Sequence, residues 1–237
     1  MNIETLMEKS GAYVVSERRR QERGIPVRSR LAKPAITISR EIGSGALEIA
    51  NGLAKMLQDT EDSGGKTWEV YDHQLIERAL REQHWPKKVA ATITEEKRFF
   101  IDEAMDDLFR LRPPSWELMP HLIETAMNLA VSGHVILVGH GATIVTAEFP
   151  NVFHVRLTSS LRTRIERVQR DRNLTHEDAA RLVKREDRKR ERFLKAYFHA
   201  RPDDELRYDL AVNTDRISTA DAVSIVFEAA QRFFSKL

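Results

Sequence analysis

Two glycines flanking a serine, placed where an apolar run ends, are the first feature of this chain that could do chemistry. The segment reads Ser39-Arg40-Glu41-Ile42-Gly43-Ser44-Gly45-Ala46-Leu47-Glu48. It follows the β-branched run Ala35-Ile36-Thr37-Ile38, and helical spacing starts just after it at Ile49, Leu53, Ala54 and Leu57. Strand, glycine turn and helix is the physical recipe for an anion site: glycines let backbone N–H groups converge, and the helix N-terminus adds its positive end. The N–H groups of Ser44, Gly45 and Ala46 are the expected donors. The standard sequence for such a loop is G-x-x-x-x-G-K-[ST], with lysine on the phosphates and the hydroxyl on Mg²⁺. Aligned on its last glycine, this chain has Ala46 at the lysine position and Leu47 at the hydroxyl position. Taken alone, the segment serves equally well as a generic turn after a strand.

The elements that must position this turn can be read along the chain. Residues 1–33 show no clean strand, are punctuated by Gly24 and Pro26, and form an N-terminal basic arm; Pro34 opens the domain that runs to residue 237. After a polar loop, Glu69-Val70-Tyr71-Asp72 reads as a second strand ending in a carboxylate. Residues 73–132 read as helical: one stretch around Leu75, Ile76, Ala79 and Leu80, a second from Thr94 to Leu111, and a third from Trp116 to Val131 with Gly133 as its C-cap. Val135-Ile136-Leu137-Val138 is an apolar strand that runs into Gly139-His140-Gly141. Residues 152–157 and 209–213 are further strands. Between them lie two basic helices broken at Asn173, and Ser218 caps a last helix reaching Phe234. Strands separated by helical crossovers imply a mostly parallel sheet covered on both faces, with ligands beyond its C-terminal edge. Gly43–Gly45, Asp72, Gly139–Gly141 and Asn213 all gather at that edge.

Composition narrows the functional classes. No cysteine occurs among the 237 residues, which excludes disulfides, thiolate catalysis and cysteine zinc sites and suits a cytoplasmic protein. No apolar run approaches the ~18–20 residues of a membrane span, and the N-terminus lacks a signal-peptide core. The eight histidines form no H-x-x-x-H pair. Formal net charge is +2, yet the stretch 162–207 holds 15 basic against 10 acidic residues, a local excess that suits an anionic partner or a solvated helix face.

Four stretches in order resemble the cytidylate kinase-like family of P-loop nucleoside-monophosphate kinases. They are Ile38-Ser39-Arg40-Glu41-Ile42-Gly43-Ser44-Gly45; Val70-Tyr71-Asp72 with Leu75-Ile76; Val138-Gly139-His140-Gly141-Ala142; and Asp187-Arg188-Lys189-Arg190 with Tyr197-Phe198, Tyr208-Asp209-Leu210 and Asn213-Thr214. The resemblance implies an α/β fold of three layers, a five-stranded sheet with a basic helical lid at about residues 172–205. It also implies ATP and Mg²⁺ as cofactors, and transfer of the γ-phosphoryl group to a nucleotide or other small acceptor. Gly43, Ser44, Gly45, Ala46, Leu47 and Arg162 would then hold the donor, and Gly139, His140 and Gly141 the acceptor. The expected catalytic groups are Arg40, Asp72 and the lid set Arg185, Arg188 and Arg192, which share one helix face by their spacing; Arg190 and Arg164 are further candidates. Each has a plainer alternative. Arg40 could pair with Glu41 or Glu48, Asp72 could cap the next helix, and Glu48 could be dipole compensation rather than a metal ligand. The lid arginines could pair with Glu186, Asp187 and Glu191.

The chain also departs from the family. Its relatives continue Gly-Ser-Gly-Gly-Arg where this sequence has Gly45-Ala46-Leu47, and they commonly carry arginine at His140. Three functions therefore stand: a phosphotransferase, a nucleotide-binding protein without turnover, and a nucleic-acid-binding protein. Aromatics are scarce at 7%, so base stacking has thin support. A homo-oligomer is compatible with the chain, and no membrane association is expected.

Overall fold

The computed structural model describes residues 33–60, 67–72, 118–139, 141–201 and 204–237. In chain order the elements are β1 (Ala35–Arg40), α1 (Ala46–Thr60), β2 (Glu69–Asp72), α2 (Leu118–Ser132), β3 (Val135–Val138), α3 (Ala142–Val145), β4 (Val152–Thr158), α4 (Leu161–Arg172), α5 (His176–Phe198), β5 (Leu210–Asn213) and α6 (Thr219–Phe234). The expected helices near 75–80 and 94–111 lie outside the described residues, as do residues 1–32 of the arm and His140.

The five strands form one sheet in the order β2-β3-β1-β4-β5, and every pairing is parallel. β1 is central and buried along both faces, apolar toward one layer and carrying Thr37 and Ser39 toward the other. Ala35 faces one helical layer while Ile36 and Ile38 face the other, and β3 alternates in the same way. One layer, α1 with α6, buries Ile49, Leu53, Leu57 and Val226 against Ile36, Ile38, Ile136 and Val138. The other, α2, α3 and the end of α5, buries Leu129, Val145, Leu194 and Phe198 against Val135 and Leu137. Full burial of one such side chain contributes about 1.5–3 kcal/mol, so the two layers fix the strand ends firmly. A polar seam crosses the second layer: the Thr37 hydroxyl lies 2.7 Å from His154 Nδ1 and 3.1 Å from the Thr143 hydroxyl, tying α3 to β1 and β4. The result is the three-layer α/β/α arrangement expected from the alternation of elements.

Local chemistry sets the element ends. Gly133 takes φ 71°, and its N–H closes on the Leu129 carbonyl, the expected glycine cap of α2. Asn173 ends α4 with φ 50°, and the Ser218 hydroxyl accepts from the Asp221 N–H to open α6. Strand order reverses about β1, with β3 on one side and β4 on the other, and a crevice opens at such a switch point beyond the strand ends. Among the described residues no helix is long and apolar enough to cross a membrane.

Candidate functional site

The glycine turn sits at that crevice. Gly43 and Gly45 have φ of 81° and 78°, the left-handed region that favours glycine. The Ser44 N–H donates to the Glu41 carbonyl at 3.2 Å, and the Ser44 hydroxyl donates to the same oxygen at 2.7 Å. With Gly43 third in that four-residue turn, the geometry is type II. Ser44 N–H is thereby committed to the turn, which corrects its expected place among the anion donors. Behind the loop, Arg167 donates to the Gly43 carbonyl and the Thr214 hydroxyl to the Ser44 carbonyl, at 3.3 and 3.2 Å. The loop's oxygens are therefore tied toward α4 and β5. The N–H groups of Gly45, Ala46, Leu47 and Glu48 precede the first closed helical bond, from Ile49 to Gly45 at 3.0 Å, and form the positive end of α1.

A Cβ on Gly43 would stand 2.6 Å from the Arg164 carbonyl oxygen, whereas a Cβ on Gly45 would meet nothing closer than 4.0 Å. Gly43→Ala should cost about 2 kcal/mol or more, from left-handed strain and a backbone clash together. Gly45→Ala should cost only the strain, about 1–2 kcal/mol. Urea unfolding of the two variants measures the difference, and equal losses would contradict the close approach of loop and α4.

Beside the turn, two arginines donate to one serine hydroxyl, and a third lies close by. Ser39 and Arg156 are paired across β1 and β4, so they share a face of the sheet. Arg156 donates to Ser39 Oγ at 3.3 Å and Arg190, from α5, at 2.9 Å. The Tyr208 hydroxyl is 3.2 Å from the same oxygen, with the Arg156 guanidinium 6.0 Å from the Tyr208 ring centroid. Arg40 lies across Gly139, 3.8 Å from where a Cβ would be, and Asp72 and Glu186 act on its charge. Burial lowers the Arg40 pKa, and those two carboxylates oppose the shift. Arg190 is pushed down to about 10, first by burial and then by Arg156, with Arg40 adding to the effect; Tyr208 and Glu41 pull the other way. These cations are held together against their own repulsion, and an anion placed among them would relieve it.

The remaining charges are arranged to hold the loop. Glu41 lies 3.3 Å from Arg156 and 3.6 Å from Arg164. Arg164 is buried and donates twice to Asp187, at 2.9 Å to each oxygen, and once to the Ser159 carbonyl. Ile42 of the loop packs against Ile165, Val168, Ala179 and Val183, the small core joining α4 to α5.

Placement of the expected site residues is mixed. Arg40, Gly43, Ser44, Gly45, Ala46, Gly139, Gly141 and Asp72 all fall at the strand ends. Asp72 acts on Arg40, and the helix that it was expected to cap lies outside the described residues. Glu41 pairs with Arg156 and Arg164, so the expected alternative of an Arg40–Glu41 pair gives way to Asp72 and Glu186. Gly141, at φ 70°, admits the Phe198 ring where a Cβ would stand. Arg162 is 84% exposed and faces Glu166, and the arginines of α4 that reach the site are Arg164 and Arg167. Arg185, Arg188 and Arg192 do share a face of α5, but it is the solvent side; Arg190 and Asp187 lie on the inward stripe with Val183 and Leu194. The sequence carried a signal for this: residues 183, 187, 190 and 194 form one helical stripe, and charges embedded in an apolar stripe are turned inward. Arg156 was missed altogether, although a permanent charge in the largely buried β4 needs a polar neighbour.

For Mg²⁺ the donor set among the described residues fits a metal carried with phosphates better than one held by protein ligands alone. Leu47, 49% exposed, offers no oxygen. Among the described residues no three His, Cys, Asp or Glu side chains cluster. Glu48 and Asp72 are single carboxylates on separate elements, which suits contact through water, since Mg²⁺ keeps several waters and takes one or two carboxylates plus phosphates.

The chain is similar to known proteins in sequence and in fold. The sequence model of the cytidylate kinase-like family matches residues 35–216. An uncharacterised protein from Eubacterium ventriosum superposes with a TM-score of 0.59 at 18% identity, covering 84% of this chain and 99% of that one. The shikimate kinase of Acinetobacter baumannii, solved with shikimate, gives 0.46 at 13% identity, over 84% and 94% of the two chains. A uronate isomerase from Corynebacterium glutamicum is 29% identical over 103 residues, 44% of this chain. This chain spans 20% of the length of that curated relative.

Proposed function

Because the chain belongs to the cytidylate kinase-like family, we propose that its glycine turn and strand-end arginines hold ATP and pass the γ-phosphoryl group to a nucleotide or other small acceptor. The observation that carries this function is the convergence of Arg156 and Arg190 on the Ser39 hydroxyl, with Arg40 close enough to act on Arg190, beside the N-terminus of α1. Phosphoryl transfer needs positioning and charge more than covalent chemistry. The bond from the γ-phosphorus to the ADP oxygen breaks, a bond to the acceptor oxygen forms, and negative charge spreads over the transferred group. The Gly45, Ala46 and Leu47 N–H groups receive the donor's phosphates, and Arg156 and Arg190 exchange the Ser39 hydroxyl for phosphoryl oxygens. Arg40 supplies the cation that Ala46 lacks. Asp72, on the acceptor side with Gly139 and Gly141, orients the acceptor and receives its proton. Mg²⁺, brought by the nucleotide, would neutralise phosphate charge, with Glu48 reaching it through water. A cysteine-free chain of this kind suits the cytoplasm.

The exposed Leu47 favours a second function: nucleotide binding without turnover. Incubating the protein with ATP-Mg²⁺ and a panel of nucleoside monophosphates and small alcohols separates the two. ADP formation that depends on one acceptor is expected. ATP binding with no ADP from any acceptor would assign the second function. The pair Ala46→Lys with Leu47→Thr, which rebuilds the standard loop, should then raise turnover from zero.

A further inference from the structure

The outward face of α5 carries cations that phosphoryl transfer leaves unused. Arg181, Lys184, Arg185, Arg188, Lys189 and Arg192 line one open surface groove, and every one of them belongs to this single helix. The helix cannot turn them toward the strand ends in this arrangement. Its other face is anchored by buried Val183, Leu194 and Phe198, by the Arg164–Asp187 pair and by the Arg190–Ser39 bond. Some of the charge is already matched: Arg181 contacts Glu177 and Asp178, while Arg185 and Lys189 share Glu186. Lys184, Arg188 and Arg192 have no ion pair among the described residues, and they follow one another at four-residue steps, each about 6 Å along the axis. Like charges at that spacing weaken a helix, a cost that a bound polyanion offsets.

We propose that this face binds the phosphate backbone of a nucleic-acid duplex. Four of the six groove residues are arginine, whose planar fork contacts phosphate bidentately. None is aromatic or apolar, and the nearby Phe193 and Tyr197 pack inward on the core. The face therefore lacks the stacking platform that holds single-stranded bases and the apolar edge that inserts into a bilayer. What it offers is a row of charge, suited to sequence-independent contact with regularly spaced phosphates. The inference is independent of the proposed reaction.

The test is fluorescence anisotropy of the full chain with a short labelled duplex of mixed sequence, across a range of salt. Three engaged cations should give a slope of log K against log salt of about −3. Arg188→Glu with Arg192→Glu should weaken binding at least tenfold and flatten the slope by about 2. Lys55→Glu with Lys236→Glu alters net charge equally on exposed sites elsewhere and should leave the slope unchanged. Circular dichroism confirms that each variant is folded. No salt-dependent binding, equal losses in both pairs, or binding that survives the Arg188/Arg192 change overturns the proposal. So does preference for phosphatidylserine vesicles or polyglutamate over the duplex.

Discussion

Replacing Arg190 by alanine is expected to lower phosphoryl turnover by about 10²-fold or more. The guanidinium is held at the Ser39 hydroxyl with Arg156 and Arg40 nearby, and its pKa is pushed down to about 10. A folded pKa below the unfolded one means that the unfolded chain binds the proton more tightly. The charge therefore works against folding at neutral pH, and stability from this group rises only from about pH 10 upward. Removing the charge relieves Arg40 and Arg156 but removes a donor from the developing phosphoryl charge. Arg190→Met retains most of the apolar stem and isolates the charge. Both variants should lower kcat far more than they raise KM. A fall in thermal midpoint with unchanged kcat would assign Arg190 a structural role instead.

Arg164→Ala should act in the opposite sense, on stability first. Arg164 is buried and serves Asp187, Glu41 and the Ser159 carbonyl together. Removing one partner of a buried ion pair costs about 3–5 kcal/mol, because the charges left behind lose their compensation. Asp187 and Glu41 keep 33% and 25% side-chain exposure, so water recovers part of the loss and about 2–3 kcal/mol is expected. The urea midpoint should fall accordingly, and a loss below about 0.5 kcal/mol would show that the α4–α5 hairpin holds without this bridge. Asp187→Asn, which retains hydrogen bonding, should cost less than Arg164→Ala.

The strands were legible because their chemistry is local. Ala35–Ile38 and Val135–Val138 are β-branched or apolar runs ended by polar residues or glycine, and Val152–Leu157 is a mostly apolar run interrupted by His154 and Arg156. Gly133, Asn173 and Ser218 were legible for the same reason, since a cap satisfies backbone groups within a few residues. Which arginines enter the site was not local. Spacing groups Arg185, Arg188 and Arg192 correctly, but the side of α5 that meets the sheet is set by Val183, Leu194 and Phe198 against α4 and α3. Arg156 depends on register: only its pairing with Ser39 shows that it reaches the crevice. The commitment of Ser44 N–H to a type II turn is likewise a matter of loop closure, which Gly-Ser-Gly leaves open.

Phosphoryl transfer at this site requires an anion bound between the positive end of α1 and Arg156 and Arg190 at Ser39. Calorimetric titration of ATP into the wild type and into Arg190→Ala tests this most directly. A saturable wild-type isotherm is predicted, with affinity at least tenfold weaker in the variant, about 1.4 kcal/mol of binding free energy. No ATP binding by the folded wild type, or equal affinity in the two proteins, would contradict it.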